Sequence, residues 1–373
     1  MYEEDKMRIL SMRKICSIVL ALVVLIGSLS GCSLNVKTAY GGDAVFEDWN
    51  QEAPALLTLQ EYVESVTDEK SEDFIPVEDR IATFDMDGTL VAELYPTYFV
   101  CYLYEWRVLK DSDFQPSDEQ IRLAEEIRDV GLTNTYTSEM IDAHRKEYAK
   151  VFEGMTRQQF DDYVSEVLMK DADGFSGMLY RDSFFKPMVE VVEYLQENDF
   201  TVYVCSGSDR DTCRVLLKNY LDIPDRQIIG TDVGYDASGQ NEKPGLSYQM
   251  TPEDQVIRTD RVFEKNEKMN KVSHIVEEIG GQPVLSFGNS SGDQSMHMYT
   301  ITNNPYRSAA FMLIADDDIR DYGDPVKAQE LRAKWEGLGF HVISMKDDFR
   351  TIYGDNVKKT GTFRWMDEFK GKG

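Results

Sequence analysis

Ile81-Ala82-Thr83-Phe84-Asp85-Met86-Asp87-Gly88-Thr89-Leu90 decides the fold. A short uncharged run, bounded upstream by Pro76, stops at two carboxylates and a glycine. A run of that length without polar alternation reads as a strand buried on both faces. In an open parallel α/β sheet, ligands gather outside the carboxyl ends of the strands, which is where Asp85 and Asp87 fall. Where the chain turns off a strand end, residues i and i+2 both face the pocket. One carboxylate, ionised beside a divalent cation, can attack while the other moves a proton. A merely solvated Asp-x-Asp-Gly turn is the plainer reading, but Thr83-Phe84 leading into it fits a buried strand better.

The run resembles the first motif of the haloacid dehalogenase-like hydrolases, most of which are phosphatases. The resemblance implies that Asp85 attacks phosphorus and that Asp87 is the general acid/base. It also implies three further pieces in order. Thr201-Val202-Tyr203-Val204-Cys205-Ser206-Gly207-Ser208 is a second strand ending in a hydroxyl and a glycine, so Ser206 and the Gly207 amide would bind phosphoryl oxygens. Lys271 follows Asn270, a plausible N-cap, on a helix running to Gly280-Gly281, and would neutralise charge on Asp85 and the phosphoryl group. Lys265 and Lys268 lie close by as alternatives. Pro283-Val284-Leu285-Ser286-Phe287-Gly288-Asn289 then leads to Asp293. Asn289 stands where a carboxylate is usual. The implied Mg²⁺ would be held by Asp85, the Asp87 carbonyl and Asn289, with Asp293 a direct or outer ligand. Glu93, three residues past Leu90, would touch metal-bound water or substrate.

The expected fold is α/β: a Rossmann-like parallel-sheet core with helices on both faces and an inserted helical cap. Asp85 and Ser206 are 121 positions apart, too many for one crossover. The insertion has helical periodicity over Gln120–Val130 and Glu139–Phe152, and a capping box at Thr156 to Gln159. Residues 46–93 and 186–373 are assigned to the core and 94–185 to the cap. The placement of the cap looks most like the phosphoserine phosphatase-like branch of the family, where such a lid closes over the site. The aromatics of 95–106 suit core packing or an apolar pocket. His144 reads as a packed or surface helix residue, and Cys205 as a buried strand residue without a histidine to activate it.

Composition narrows the rest. The 373 residues carry 40 Lys+Arg against 67 Asp+Glu, net charge −27, which excludes a phosphate-backbone surface and so nucleic acid as the main partner. Five cysteines and four histidines show no disulfide framework and no zinc spacing. Asp87 argues against a haloacid dehalogenase, which has no use for it. The lack of further long apolar runs excludes an ion pump. The reading is a Mg²⁺-dependent hydrolase of a small phosphomonoester. The competing reading is an inactive binding lipoprotein, with Asn289 as the mark of decay.

Ile15 to Leu29 is a fifteen-residue run without a charge, preceded by Arg13-Lys14 and followed by Ser30-Gly31-Cys32. It is too short for a membrane span and suits a signal-peptide core. Leu29-Ser30-Gly31-Cys32 resembles the bacterial lipobox. The expectation is a signal peptide over 1–31, lipid on Cys32, a tether over 32–45, and anchoring on the extracytoplasmic side of a cell-envelope membrane. Cys32→Ala is therefore expected to abolish acyl labelling in cells; labelling that persists in the variant refutes the lipobox.

Overall fold

The computed structural model describes residues 46–93, 98–131, 133, 135–218 and 220–363. The signal segment 1–31, Cys32, the tether and residues 94–97 lie outside them. Among the described residues no helix is long and apolar enough to cross a membrane.

The first helix of the described residues is α1 (Pro54–Thr67), with Pro54 in the first turn, where its missing N–H costs nothing. Leu56, Leu59, Tyr62, Val63 and Val66 recur at helical spacing and are buried. The Tyr62 hydroxyl donates to the carbonyls of Val284 and Arg307, pinning α1 to the sheet. Next come β1 (Ile81–Phe84), then α2 (Phe99–Leu109), α3 (Asp118–Gly131), α4 (Ser138–Val151) and α5 (Arg157–Leu168). The short strand β2 (Phe175–Ser176) precedes α6 (Lys186–Glu197), β3 (Thr201–Asp209), α7 (Arg210–Leu217) and β4 (Ile228–Thr231). A hairpin of β5 (Val233–Ala237) and β6 (Val256–Val262) follows. The chain ends through α8 (Met269–Glu278), β7 (Leu285–Gly288), α9 (Gln294–Ile301), β8 (Ala309–Ile314), α10 (Pro325–Gly337), β9 (His341–Ser344) and β10 (Lys358–Lys359), which pairs with β2.

Six strands form one parallel sheet in the order β4-β3-β1-β7-β8-β9. The expected α/β architecture is therefore present. From β1 the chain builds outward to β3 and β4, then returns to the other side of β1 with β7. That reversal opens a crevice at the carboxyl ends of β1, β3 and β7. β1, β4 and β7 are buried along their whole length, and Phe84 stacks on Phe287, which stacks on Phe311 across three neighbouring strands.

Local details differ from expectation in two places. Asn270 is not an N-cap. The cap position is Lys268 at φ 57°, and the Asn270 amide bonds the Lys265 carbonyl instead. The aromatic run 99–109 is a helix that carried no separate signal, since it is apolar on nearly every face.

Of the four helices between β1 and β2, α4 and α5 pack against β6 of the hairpin. Gly154 N–H donates to the Arg258 carbonyl and Arg258 N–H to the Met155 carbonyl, both at 2.9 Å. The Arg258 guanidinium, fully buried, meets Asp209 at 2.8 Å and Asp211 at 2.6 Å and lies 4.0 Å over the Phe160 ring. Removing one partner of a buried ion group leaves uncompensated charge behind. Asp211 keeps Arg157 and Arg214, so Arg258→Met is expected to cost about 3 kcal/mol, the low end for such losses. Chemical denaturation measures this; a change under about 0.5 kcal/mol, the size of a surface substitution, contradicts the role of the joint.

Candidate active site

The turn after β1 is built by its own backbone. Asp85 N–H extends the ladder to the Phe287 carbonyl, Leu90 N–H returns to Met86, and Gly88 N–H bonds the Val91 carbonyl at 2.7 Å. Gly88 sits at φ +79°. A Cβ there would fall 1.9 Å from Asn289 Nδ2 and 2.7 Å from Glu93 Oε2. Glycine is therefore needed both for the left-handed turn and for the approach of those two side chains.

Lys271 rises from the first turn of α8 into the sheet end. Its Nζ donates to Asp85 Oδ1 and to Asp293 Oδ1, both at 2.6 Å, and its side chain is 2% exposed. Burial alone would lower its pKa, but the carboxylates of Asp293 and Asp85 outweigh that and hold it above the ordinary lysine range. For Asp293 the balance also favours the charged form. Burial opposes it, Lys271 wins, and the pKa falls. Asp85 goes the other way: burial and then the Asp293 charge raise it well above the carboxylate range, with Lys271 only partly opposing. Of the three candidate lysines it is thus Lys271 that meets Asp85.

Asp87 accepts from the Ser208 hydroxyl at 2.6 Å. Burial raises its pKa against that hydrogen bond. The Ser206 hydroxyl accepts from Ser208 N–H and also faces Asp87. Gly207 forms the wall, with the Lys265 stem close enough that an added Cβ would stand 3.3 Å from Cε. Glu93 accepts from the Tyr98 hydroxyl at 2.8 Å and the Asn289 amide at 2.7 Å, and burial raises its pKa to about 7.

These groups line a cavity of about 180 Å³ that is partly open to solvent. Asp85, Asp87, Glu93, Gly207, Lys271, Asn289 and Asp293 line it together. Ser206 does not; its hydroxyl lies behind the wall, and Ser208 takes the facing position. Strand alternation places residues 206 and 208 on one face, a signal the sequence reading did not use. Tyr98 and Lys265 also line the cavity. Cys205 is buried, and burial pushes its thiol up to about 11, which suits a packing residue. His144 is buried too, held by burial near pKa 4 and so neutral, with Nε2 3.3 Å from the Val100 carbonyl.

Among the described residues no three His, Cys, Asp or Glu side chains converge into a metal cage. The donor set nevertheless suits a hard cation. Asn289 Oδ1 is buried with no hydrogen-bond partner, because the amide nitrogen is committed to Glu93. Such an orphaned oxygen is costly unless a ligand meets it. Asp293 has no such spare capacity. Its Oδ1 takes Lys271, and its Oδ2 takes the N–H groups of Asn289 and Ser290 and the Ser290 hydroxyl. Asp293 therefore holds the loop after β7 in place.

No family model matches the chain, and no curated protein does. Among solved structures, one from Anaerococcus prevotii DSM 20548, described as a conserved functionally unknown protein, has 12% identity and a TM-score of 0.48 over 83% of this chain and 98% of that one. A protein with unknown function from Bordetella pertussis Tohama I has 13% identity and a TM-score of 0.47 over 71% and 97%. A cytosolic 5′-nucleotidase IIIB bound to cytidine has 12% identity and a TM-score of 0.43 over 77% and 83%. Likenesses this distant leave the activity to be argued from the residues.

Gly88 and Gly154 share a left-handed φ, +79° and +80°, but Gly154 has nothing within 4 Å of an added Cβ. Gly154→Ala is expected to cost about 1 kcal/mol from backbone strain alone. Gly88→Ala should cost at least about 1 kcal/mol more, from displacing Asn289 and Glu93. Equal losses in thermal unfolding of the two variants contradict the close-approach argument.

Proposed function

We propose that the protein is a Mg²⁺-dependent phosphomonoesterase working through an aspartyl phosphate on Asp85, anchored by Cys32 outside the cytoplasm. One observation carries the catalytic part: two carboxylates two residues apart at one strand end have opposite surroundings. Asp85 lies on an ammonium at 2.6 Å, and Asp87 lies on a hydroxyl. Burial raises the pKa of both, but an ammonium in direct contact supports a carboxylate that attacks, whereas a carboxyl beside a hydroxyl can carry a proton. The location rests on the lipobox alone.

In this reading Asp85 Oδ attacks phosphorus, and the bond to the leaving alkoxide oxygen breaks. Asp87, protonated, gives its proton to that oxygen, so a neutral alcohol departs. Asp87, now ionised, takes a proton from a water that attacks the phosphorus of the aspartyl phosphate. The Asp85–phosphorus bond breaks, inorganic phosphate leaves, and both carboxylates return to their starting states. Lys271 offsets the charge gathered on Asp85 and the transferring group and fixes the Asp85 rotamer. The N–H of Gly207, on the cavity wall, would donate to a phosphoryl oxygen, while the Ser208 hydroxyl donates to Asp87.

The Asp85 carboxylate, the Asp87 carbonyl and Asn289 Oδ1 are the groups that would hold Mg²⁺. The ion supplies charge neutralisation for the approach of one anion to another. Glu93 sets the Asn289 amide so that its oxygen is the free end. A neutral amide in place of a carboxylate leaves one negative charge fewer for a hard cation, so affinity should be modest.

The test is a Mg²⁺ titration of turnover on a panel of phosphomonoesters with four proteins. Asp85→Asn, assayed fresh, is expected to fall below about 1% of wild type, as for loss of an attacking group. Asn289→Asp should lower the Mg²⁺ concentration for half-maximal rate severalfold, and Asn289→Ala should raise it. Absence of Mg²⁺-dependent turnover in the wild type would return the inactive binding reading. Equal half-saturation in wild type and Asn289→Asp, with Asn289→Ala fully active, removes Asn289 from the metal site.

A further inference from the structure

Beyond the catalytic groups, the cavity runs up under the helices that follow β1. Its far wall is made by Tyr98, Tyr136, Met140, Ile141, His144 and Tyr148. The polar tips of three of these are already engaged within the protein. Tyr98 donates to Glu93, Tyr148 shares a 2.7 Å hydrogen bond with the Thr212 hydroxyl, and His144 meets the Val100 carbonyl. Met140 and Ile141 have no polar atoms that matter here. Apart from the Tyr136 hydroxyl, what this wall offers a ligand is ring faces, a thioether and methyl groups.

The charged residues that reach the same cavity away from the catalytic end are all paired. Arg145 binds Asp142 at 2.7 Å and caps the Phe263 carbonyl. Asp209 is held by Arg258 at 2.8 Å, Asp232 by Arg210 at 2.8 Å, and Lys265 faces Glu267 at 3.0 Å. His144 is neutral, as above. Residues 94–97, 132 and 134, which neighbour this wall in the chain, include no charged side chain. A substrate whose leaving group carries a carboxylate or an ammonium would therefore lose its water and meet only charges that already have partners, an unfavourable exchange. An apolar leaving group loses nothing of the kind and gains from the surface it buries.

Size adds a bound. A cavity of about 180 Å³ holds roughly a dozen water-sized groups at 10–15 Å³ each. The phosphoryl group takes four or so, which leaves room for a leaving group of about phenyl size, on the same scale.

We propose that the substrate is the phosphate monoester of an uncharged, apolar alcohol of about that size, aryl or branched alkyl, and that a phosphorylated amino acid or amino alcohol is not. This rests on the phosphomonoesterase reading above and deepens it. Met140 and Ile141, on α4, are the specificity-determining positions.

The experiment compares kcat/KM of the full chain with Mg²⁺ on benzyl phosphate, O-phosphoserine and O-phosphoethanolamine, three esters of primary alcohols. Benzyl phosphate is expected to lead both by at least about tenfold. Parity, or preference for either charged leaving group, overturns the proposal while leaving the phosphatase reading intact. Met140→Asp should lower kcat/KM for benzyl phosphate at least about tenfold, mainly through KM, and lower that for phosphoethanolamine less than twofold. Ile141→Asp, at the 38% exposed mouth, serves where Met140→Asp does not fold; benzyl phosphate turnover unchanged in a folded variant overturns the wall's role. If no ester is turned over, the phosphatase reading fails separately, and calorimetry with two non-hydrolysable probes still decides the pocket. Benzylphosphonate should then bind at least about tenfold more tightly than 2-aminoethylphosphonate, and equal affinity refutes the apolar pocket.

Discussion

The site depends on one ammonium held between two carboxylates. Lys271 reaches from α8 to Asp85 at the end of β1 and Asp293 at the start of α9, 2.6 Å from each and shut off from water. At that distance and burial two carboxylates alone would not both stay ionised. With Lys271 between them, the ends of β1 and β7 are drawn to one point and Asp85 is fixed in orientation. Asp293 passes the constraint on, since its second oxygen binds the backbone of Asn289 and Ser290 and so sets the loop that carries Asn289. Gly88 completes the arrangement by leaving room for Asn289 and Glu93 to meet above the turn.

The helices over the site are tied to the core at more than the two ends where the chain enters and leaves them. Two backbone hydrogen bonds join Gly154 and Met155 to Arg258 on β6, and the Arg258 guanidinium links Asp209, Asp211 and the ring of Phe160. Asp209 ends β3, the strand that brings Ser208 to Asp87. The apolar wall of the cavity and the strand end that meets Asp87 are thus held to the same buried ion cluster.

Much of this was legible in the chain because burial leaves a plain trace. The uncharged run before Asp85 and the Val-rich run before Ser206 read as strands. The Thr156–Gln159 capping box is present as expected, both of its hydrogen bonds included. Lys271 is singled out by order along the chain, although its helix starts at Lys268, at φ 57°, rather than at an Asn270 cap. What stayed hidden depends on three-dimensional partners. Nothing in the sequence says that the hydroxyl reaching Asp87 most closely is Ser208, that the Asn289 amide nitrogen is spent on Glu93, or that Asp293 is saturated. The pairing of Arg258 with two carboxylates 47 and 49 positions away is likewise invisible to periodicity, which reports which face is buried and not what that face meets.

The central claim is that Asp85 is the group that takes the phosphoryl. Radiolabelled phosphoryl donor, an aryl phosphate mixed with the protein and Mg²⁺ and quenched in acid within milliseconds, tests it most directly when the labelled peptide is sequenced. The account predicts a hydroxylamine-labile label on the peptide that spans Ile81 to Leu90, localised to Asp85 and absent from Asp85→Asn. Label on any other residue, or sustained turnover by Asp85→Asn with no labelled peptide, would contradict it.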